Sequence, residues 1–523
     1  MDDELKYQEV IFNACIALND YILEKEKEDD DNLTFIDHYM FQATSYVITI
    51  LHDNLFIKNN SFCKCFIYRS LIEVVAIMNM YLAGDISEDV KELINNFNYI
   101  AEYNMYKKYK PRLNKRQFDF DQIENNFKNA KSLYRESLND INSLEFKKLL
   151  NSKVPFIGEN YSFDSLIQKY SNNLYEYYRI LSVMIHPNDL TLTIDLQNDL
   201  DLVGLEANLF LPIMKVIEKC YLHSKLPKSR TLNEEIQFIF GNPLNHAYLN
   251  MASSQKNILN KLAAMIEKTH GLNTQSCLFR ELGKCIESMA VDKTFGFSEI
   301  VKCKFKMVME MIALNYYLAT LPHFEEDIYL VELLTKHTRI KLMEIEGMDC
   351  RDALKDAYEC YLNSKEEISY DDFIIKFEKS LGFIPNDTSI TKLVYRFIEK
   401  MSDDESRIAH MEMVYDEAQA MSHANGYMIS SNSGAFMEYS SVIPFVDMSI
   451  SFIINLYYSH YKLYNDTEGE HKENKLVYDL KKCLKEFDKV SQQKNELDYA
   501  FKDYRVDYNG MPVDMSGFGV KKF

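Results

Sequence analysis

One stretch of the chain combines residue types that could cleave a phosphodiester bond. Arg179, Ser182 and His186 follow one another closely, and on a helix Arg179 and His186 project from one face, about 20° apart. A histidine near neutral pH can take or give a proton, and a fixed cation beside it can hold a phosphate and stabilise developing charge. These residues suit attack of a ribose hydroxyl on its neighbouring phosphate, a reaction that needs no metal.

The histidine belongs to a pair that recurs in the second half of the chain. Glu73 lies 113 residues before His186 (186 − 73 = 113). Glu310 and His423 repeat that separation (423 − 310 = 113). Self-similarity at a fixed offset, here 237 residues (310 − 73 = 237), predicts two copies of one domain. The same offset aligns Arg69 with Lys306, Ala76 with Ala313, Tyr178 with Tyr415, Met184 with Met421 and Asn188 with Asn425.

Composition favours helices as the elements that position these residues. Glycine (15) and proline (10) are scarce among 523 residues, which leaves few turn signals for a strand architecture. Apolar residues at spacings of three and four predict amphipathic helices through most of the chain. We expect an all-α protein of two divergent tandem helical-bundle domains, residues 1–235 and 250–463. A C-terminal amphipathic helix over 475–505 and a flexible tail over 506–523 would follow.

The spacing of Arg179 and His186 at the end of a helix resembles the Arg-x(4–6)-His signature of HEPN domains, many of which are metal-independent ribonucleases in toxin, antiphage and RNA-decay systems. The wider pattern, Arg/Lys-x3-Glu and later Tyr-x7-His, is also similar to an uncharacterised family of bacterial helical proteins. The resemblance implies that His186 is the acid/base and Arg179 the phosphate ligand. Ser182, which lies between them on the helix, and the repeated Glu73 are further candidate catalytic residues.

HEPN ribonucleases generally build one composite cleft from two domains, and the two halves of this chain would supply both. Glu310 and His423 are the counterparts in the second copy. Asp416 stands where Arg179 would fall in that copy. The resemblance therefore implies that only the first copy is complete.

A second hypothesis gives the repeated residues a structural role. A glutamate and a histidine on facing helices, with a base nearby, form a buried polar cluster whose members satisfy one another. Glu73 would then pair with Arg69 or His186, and the second copy would do the same. Under this hypothesis the protein is a non-catalytic helical scaffold that binds a protein partner.

Metal binding is a third hypothesis for the same positions. Glu73, His186, Glu310 and His423 could converge between helices, as in carboxylate-bridged metal bundles. Those bundles typically present Glu-x-x-His motifs and more carboxylates, which are missing at these positions. We therefore expect neither a metal nor another cofactor.

A basic strip is the candidate RNA-binding surface, and its six cations are Lys107, Lys108, Lys110, Arg112, Lys115 and Arg116. Such a strip predicts phosphate contacts, and a solvated helix end that offsets nearby acid has the same composition. The net charge of −20 argues against binding to duplex DNA. RNA therefore stands beside a protein partner or a second copy of the chain as a candidate partner.

The cysteines, the first residues and the length of the apolar runs bear on the cellular location. The ten cysteines form no CxxC pair and are typical of buried thiols in a reducing compartment. The acidic start, Met1 to Glu4, does not fit a signal peptide, and we find no uninterrupted apolar run of about 18 residues. We expect a cytoplasmic protein without a membrane partner.

Overall fold

A computed structural model describes fourteen segments of the chain and a few single positions. The segments are 62–85, 107–113, 120–137, 162–185, 243–270, 274–294, 298–320, 324–364, 367–379, 389–422, 439–467, 475–501, 504–506 and 512–514, and the single positions are 39, 43, 46, 47, 49, 50, 99, 103 and 209.

Helices account for nearly all of the described residues, as the all-α prediction requires. In the first half they are α1 (Phe62–Leu82), α2 (Phe120–Ser137), α3 (Phe163–Tyr170) and α4 (Tyr175–Met184), with a 3₁₀ turn at Asn172–Leu174. The following helices are α5 (Pro243–His270), α6 (Thr274–Thr294), α7 (Ser298–Thr320), α8 (Phe324–Ile345), α9 (Arg351–Ser364), α10 (Tyr370–Phe377), α11 (Ile390–Met401), α12 (Glu405–Met421), α13 (Tyr439–Thr467) and α14 (Lys475–Phe501).

Helix α7 forms the centre of the second half. Its residues from Ile300 to Leu318 are nearly all buried, the charged Lys304 and Glu310 among them. A helix without an exposed face must be surrounded by other elements, and α7 packs against α6, α11, α12 and α13. It therefore supplies the core around which the second half is built.

Helix α1 has the corresponding place in the first half. It is also buried along most of its length and packs against α3 and α4. Shifted by 237 residues, α1 coincides with α7 to within one residue at each end, and the last residue of α4, Met184, falls on the last residue of α12, Met421. The described helices thus keep the offset seen in the sequence, while an origin by duplication stays a prediction.

The two halves also contact each other. Helix α1 touches α6 and α7, and α4 packs against α8. Ser70 on α1 donates a hydrogen bond to the backbone carbonyl of Ser422, 3.5 Å away at the end of α12. The two central helices are therefore neighbours in one body.

The predicted C-terminal helix is present. Helix α14 ends at Phe501 and packs against α5 and α13, so it covers the second half. Two three-residue strands follow, Tyr504–Val506 (β1) and Pro512–Asp514 (β2), paired antiparallel with Arg505 opposite Val513. The flexibility of residues 506–523 stays a prediction.

Two helices extend slightly past the bounds predicted for the second domain. Helix α5 begins at Pro243, seven residues before position 250 (250 − 243 = 7), and α13 continues to Thr467. Proline is well tolerated at the first position of a helix, where the missing N–H has no partner to lose. The domain bounds themselves stay a prediction.

Two of the described helices are long and apolar enough to cross a membrane, Lys64–Leu82 with mean hydropathy 1.4 and Val442–Ser459 with mean hydropathy 1.3. Most of their residues are buried inside the fold. A buried core helix passes the same test of length and composition, so the two helices are only a weak indication of a membrane.

Candidate functional site

The repeated glutamate of the first half lies in a buried polar cluster between α1 and α4. Glu73 is fully buried, and its carboxylate lies 3.4 Å from the guanidinium of Arg69, one helical turn away. The Tyr178 hydroxyl donates to the same carboxylate at 3.2 Å. Arg69 in turn donates through Nε to the Ser182 hydroxyl at 3.1 Å and reaches the Tyr178 oxygen at 3.4 Å. We call these four residues the first cluster.

Two members of the first cluster, Arg69 and Tyr178, keep their protons at neutral pH. Burial lowers the pKa of Arg69, but the negative charge of Glu73 and the oxygen of Tyr178 outweigh it and raise that pKa above its ordinary value. Burial, and after it the Glu73 charge, raises the pKa of Tyr178 as well. Neither group can exchange a proton near pH 7. The cluster can therefore hold a charge in place, but these two members cannot act as a general acid or base there.

A second cluster repeats this arrangement between α7 and α12. The Lys306 ammonium lies 3.5 Å from the Glu310 carboxylate, again one turn away. The Tyr415 hydroxyl donates to that carboxylate at 3.1 Å, across the same separation of 105 residues that joins Tyr178 to Glu73. Burial, and after it the Glu310 charge, raises the pKa of Tyr415 well above its ordinary value.

The serine of the first cluster has a different counterpart. Gln419 takes its place in the second half and donates to the Thr391 hydroxyl at 3.1 Å. The base, the glutamate and the tyrosine are thus kept in both clusters, while the fourth member is not.

Arg179, the predicted phosphate ligand, lies outside the first cluster. It is half-buried on α4, and its guanidinium lies 5.8 Å from the centroid of the Tyr175 ring. No acidic side chain among the described residues forms an ion pair with it. Ser182, by contrast, points to Arg69 and donates to the Tyr178 carbonyl oxygen at 2.7 Å. Arg179 and Ser182 therefore share no contact among the described residues.

The two predicted histidines lie outside the described residues. Helix α4 ends at Met184, and the amide of Ile185 still donates to the Leu181 carbonyl at 3.1 Å. The described residues end at Ile185, one residue before His186, and in the second half they end at Ser422, one residue before His423. The assembly of Glu73 with His186, and the convergence of both pairs on a metal, stay predictions. Within the described part of the chain, no group of three or more His, Cys, Asp and Glu side chains is placed to hold a metal ion.

The basic strip is largely engaged in ion pairs. Lys108 Nζ lies 2.7 Å from Asp416, and Arg112 donates to Glu412 at 2.7 Å and also to Glu405. Lys110 pairs with Glu124 at 2.9 Å, and Lys107 is exposed. Lys115 and Arg116 lie outside the described residues. Three of the predicted RNA contacts are therefore neutralised by acids, two of them by acids on α12.

Asp416 explains why the second half lacks an equivalent of Arg179. Its carboxylate accepts hydrogen bonds from Lys108 Nζ and from the Tyr109 hydroxyl, both at 2.7 Å, and from the Tyr395 hydroxyl. Burial, followed by the charge of Asp416, raises the pKa of Tyr109 and that of Tyr395. An arginine at this position would place a cation against Lys108. We call Lys108, Tyr109, Arg112, Glu412 and Asp416 the clamp, because they join the first half to α12.

Sequence reasoning did not find the clamp, and it gave no role to the two tyrosines. The tyrosines carried a signal, since Tyr178 and Tyr415 match at the offset of 237. The signal for the clamp was weaker, because the sequence shows only a cation-rich segment and, on a later helix, acidic residues. Nothing in a single sequence tells which helix a charged segment will meet.

Comparisons of this chain with protein-family models, with curated proteins and with solved structures found no significant match.

Proposed function

We propose that this protein is a non-catalytic helical scaffold that binds a protein partner, and that its two repeated clusters hold each half together. The observation that carries the proposal is that each buried glutamate already has a base one turn away and a tyrosine hydroxyl as partners. Buried polar groups that satisfy one another in this way stabilise a fold, whereas a catalytic carboxylate must reach a substrate.

The clamp supports the same proposal. A surface that binds RNA needs cations that can pair with phosphate. Lys108 and Arg112 instead pair with Asp416 and Glu412, and the side chain of Glu412 is only 7% exposed. RNA phosphates would have to displace these acids. The strip therefore serves the contact between the halves better than it serves a polyanion.

The scaffold proposal is tested by the stability of the clusters and by the absence of nuclease activity. Tyr178→Phe and Tyr415→Phe should each lower the free energy of unfolding, measured by urea denaturation, while Tyr177→Phe, a half-buried tyrosine beside the first cluster, should leave it nearly unchanged. RNA incubated with the purified chain should stay intact. Unchanged stability in both cluster variants would contradict the structural role.

A HEPN-like effector, acting as a metal-independent ribonuclease or as an RNA-binding protein, is the second candidate, and Arg179 favours it. This residue is half-buried, has no acidic partner among the described residues, and lies on the helix that leads to His186. An arginine near a histidine could hold a phosphate while the histidine transfers a proton. A setting in bacterial antiphage or stress response rests on the resemblance to HEPN domains alone.

Incubation with total RNA in the presence of EDTA separates the two candidates. If the second holds, the parent cleaves RNA, and Arg179→Ala and His186→Ala both abolish cleavage without changing the melting temperature. Arg351→Ala is the matched control, since it removes an exposed arginine on another helix. Cleavage by the parent and the control alone would overturn the scaffold proposal. Equal loss in all three variants would point to a general charge effect.

A further inference from the structure

The outer face of α14 carries a row of exposed lysines. The opposite face of this helix, where Val477, Leu480 and Phe487 are buried, packs against α5 and α13. At 3.6 residues per turn the exposed residues of the row fall within about 120° of one another, and they are Lys475, Tyr478, Lys481, Lys482, Lys485 and Lys489. We call these six residues the lysine face.

The protein does not neutralise the lysine face itself. Lys482 Nζ lies 4.0 Å from the Glu486 carboxylate. Among the described residues, no acidic side chain forms an ion pair with the other four, which are Lys475, Lys481, Lys485 and Lys489. Acids are not scarce, since the chain has 79 Asp and Glu against 59 Lys and Arg. The lysine face thus differs from the clamp, whose cations are paired with carboxylates.

Neighbouring helices extend the positive charge. Lys261 and Lys268 are exposed on α5, seven residues and therefore about two turns apart, so they share one face. Lys261 is near enough to Cys483, on α14, to act on it electrostatically. Lys462 is exposed at the end of α13. In a chain with a net charge of −20, cations of three packed helices are therefore concentrated on one part of the surface.

Acids limit the lysine face to a length of about 21 Å. Its ends, Lys475 and Lys489, are 14 residues apart (489 − 475 = 14), at about 1.5 Å per residue. Past Lys489 the same side of α14 carries the exposed Glu496, with Arg407 nearby at Met448. Three acids of α14 lie along the edges, Asp479 and Glu486 toward α5 and Asp488 toward α13. A short anionic segment fits within these limits, whereas a long polyanion would continue onto acidic surface.

The chemistry of the lysine face suits carboxylates better than nucleic acid. All of its cations are lysines, whereas arginine is the residue that holds phosphate with two hydrogen bonds and stacks on bases. The net charge of −20 also repels a long polyanion. Tyr478, which is 56% exposed among the lysines, can donate its hydroxyl to a carboxylate and cover an apolar side chain with its ring.

We propose that the lysine face binds a segment of a protein partner that is rich in Asp and Glu. About six residues in an extended conformation span 21 Å, and their carboxylates would pair with the lysines that have no acidic partner in this chain. The inference rests on the proposed scaffold function and names the chemistry of its partner. It uses no residue of the two clusters or of the clamp.

Fluorescence anisotropy of a fluorescein-labelled octaglutamate peptide, titrated with the full chain at low salt, tests the proposal. The parent should bind the peptide saturably, and the triple variant Lys481→Gln, Lys485→Gln, Lys489→Gln should weaken binding about tenfold or more. The matched control, Lys355→Gln, Lys379→Gln, Lys400→Gln, changes the net charge equally and should keep the affinity within about twofold. All six lysines are exposed, so neither variant disturbs the core.

A second titration, with labelled octauridylate, identifies the class of ligand. RNA should bind more weakly than the peptide. Tighter binding of RNA, lost in the lysine-face variant, would overturn the proposal in favour of a nucleic acid. Absence of peptide binding, or equal weakening in the lysine-face and control variants, would overturn it as well. These results leave the scaffold function to its own tests, the stability of the tyrosine variants and the integrity of incubated RNA.

Discussion

The first and second clusters share their buried members and differ where they approach the surface. Each contains a base, a glutamate and a tyrosine at the same spacing, and both glutamates are at most 1% exposed. The exchanged positions are Ser182 with Gln419 and Arg179 with Asp416. The base, the glutamate and the tyrosine recur because a buried carboxylate without partners destabilises the fold. The outer positions differ because each half packs against different neighbours.

Removing either glutamate should have the largest effect on the free energy of unfolding. We expect Glu73→Ala and Glu310→Ala to lower the free energy of unfolding by about 3–5 kcal/mol each. The second change should cost more, since Arg69 keeps Ser182 and Tyr178 as acceptors and no such contacts are described for Lys306. Urea denaturation followed by circular dichroism measures both, with the exposed Glu176→Ala as control. A cost below about 1 kcal/mol would show that these pairs are not structural.

Making the second half resemble the first at Asp416 should have the next largest effect. Asp416→Arg removes the acceptor of Lys108 and Tyr109 and places a cation beside them, so we expect a loss of about 2–3 kcal/mol. Asp403→Arg, an exposed position near the start of α12, controls for the added charge. A variant as stable as the parent would mean that the clamp does not join the halves.

The tyrosine hydroxyls should contribute less than the carboxylates. Tyr178→Phe and Tyr415→Phe each delete one hydrogen bond to a buried glutamate, and we expect losses of about 1–2 kcal/mol. Tyr415→Phe should cost more, because its hydroxyl also contacts Gln419 and Thr391. Thermal unfolding of the two variants side by side measures the difference, and a reversed order would show that Arg69 depends on Tyr178 more than the distances indicate.

Ser182 and Gln419, which differ between the two clusters, should contribute least to stability. Ser182→Ala removes an acceptor of Arg69, and Gln419→Ala removes the bond to Thr391. Both side chains are partly buried rather than sealed in the core, so we expect about 0.5–1 kcal/mol for each. A loss as large as that of the glutamate variants would place these residues among the shared requirements of the core.

The helices and the contact between Arg69 and Glu73 could be predicted from the sequence because their signals are local. The last helix, for example, follows from Leu476, Leu480 and Leu484 at spacings of four, and it is helical in the structure. The partner of Glu73 was predicted as Arg69 or His186, and the described contact is to Arg69. One turn of helix brings that partner close without any tertiary information.

The surroundings of the basic strip could not be predicted in the same way. Its cations could pair with phosphate or with carboxylate. Only the packing of the first half beside α12 shows that carboxylates are the partners of Lys108 and Arg112.

The clamp also has a consequence for the order in which the chain is made. Lys108 and Asp416 are 308 residues apart, and at roughly 5–20 residues per second the ribosome would complete Lys108 roughly 15–60 s before Asp416. During that interval the nascent first half carries cations that the finished protein neutralises. A chain that stops before α12 would keep them exposed. Synthesis of the second half is therefore what pairs this basic surface with acidic side chains.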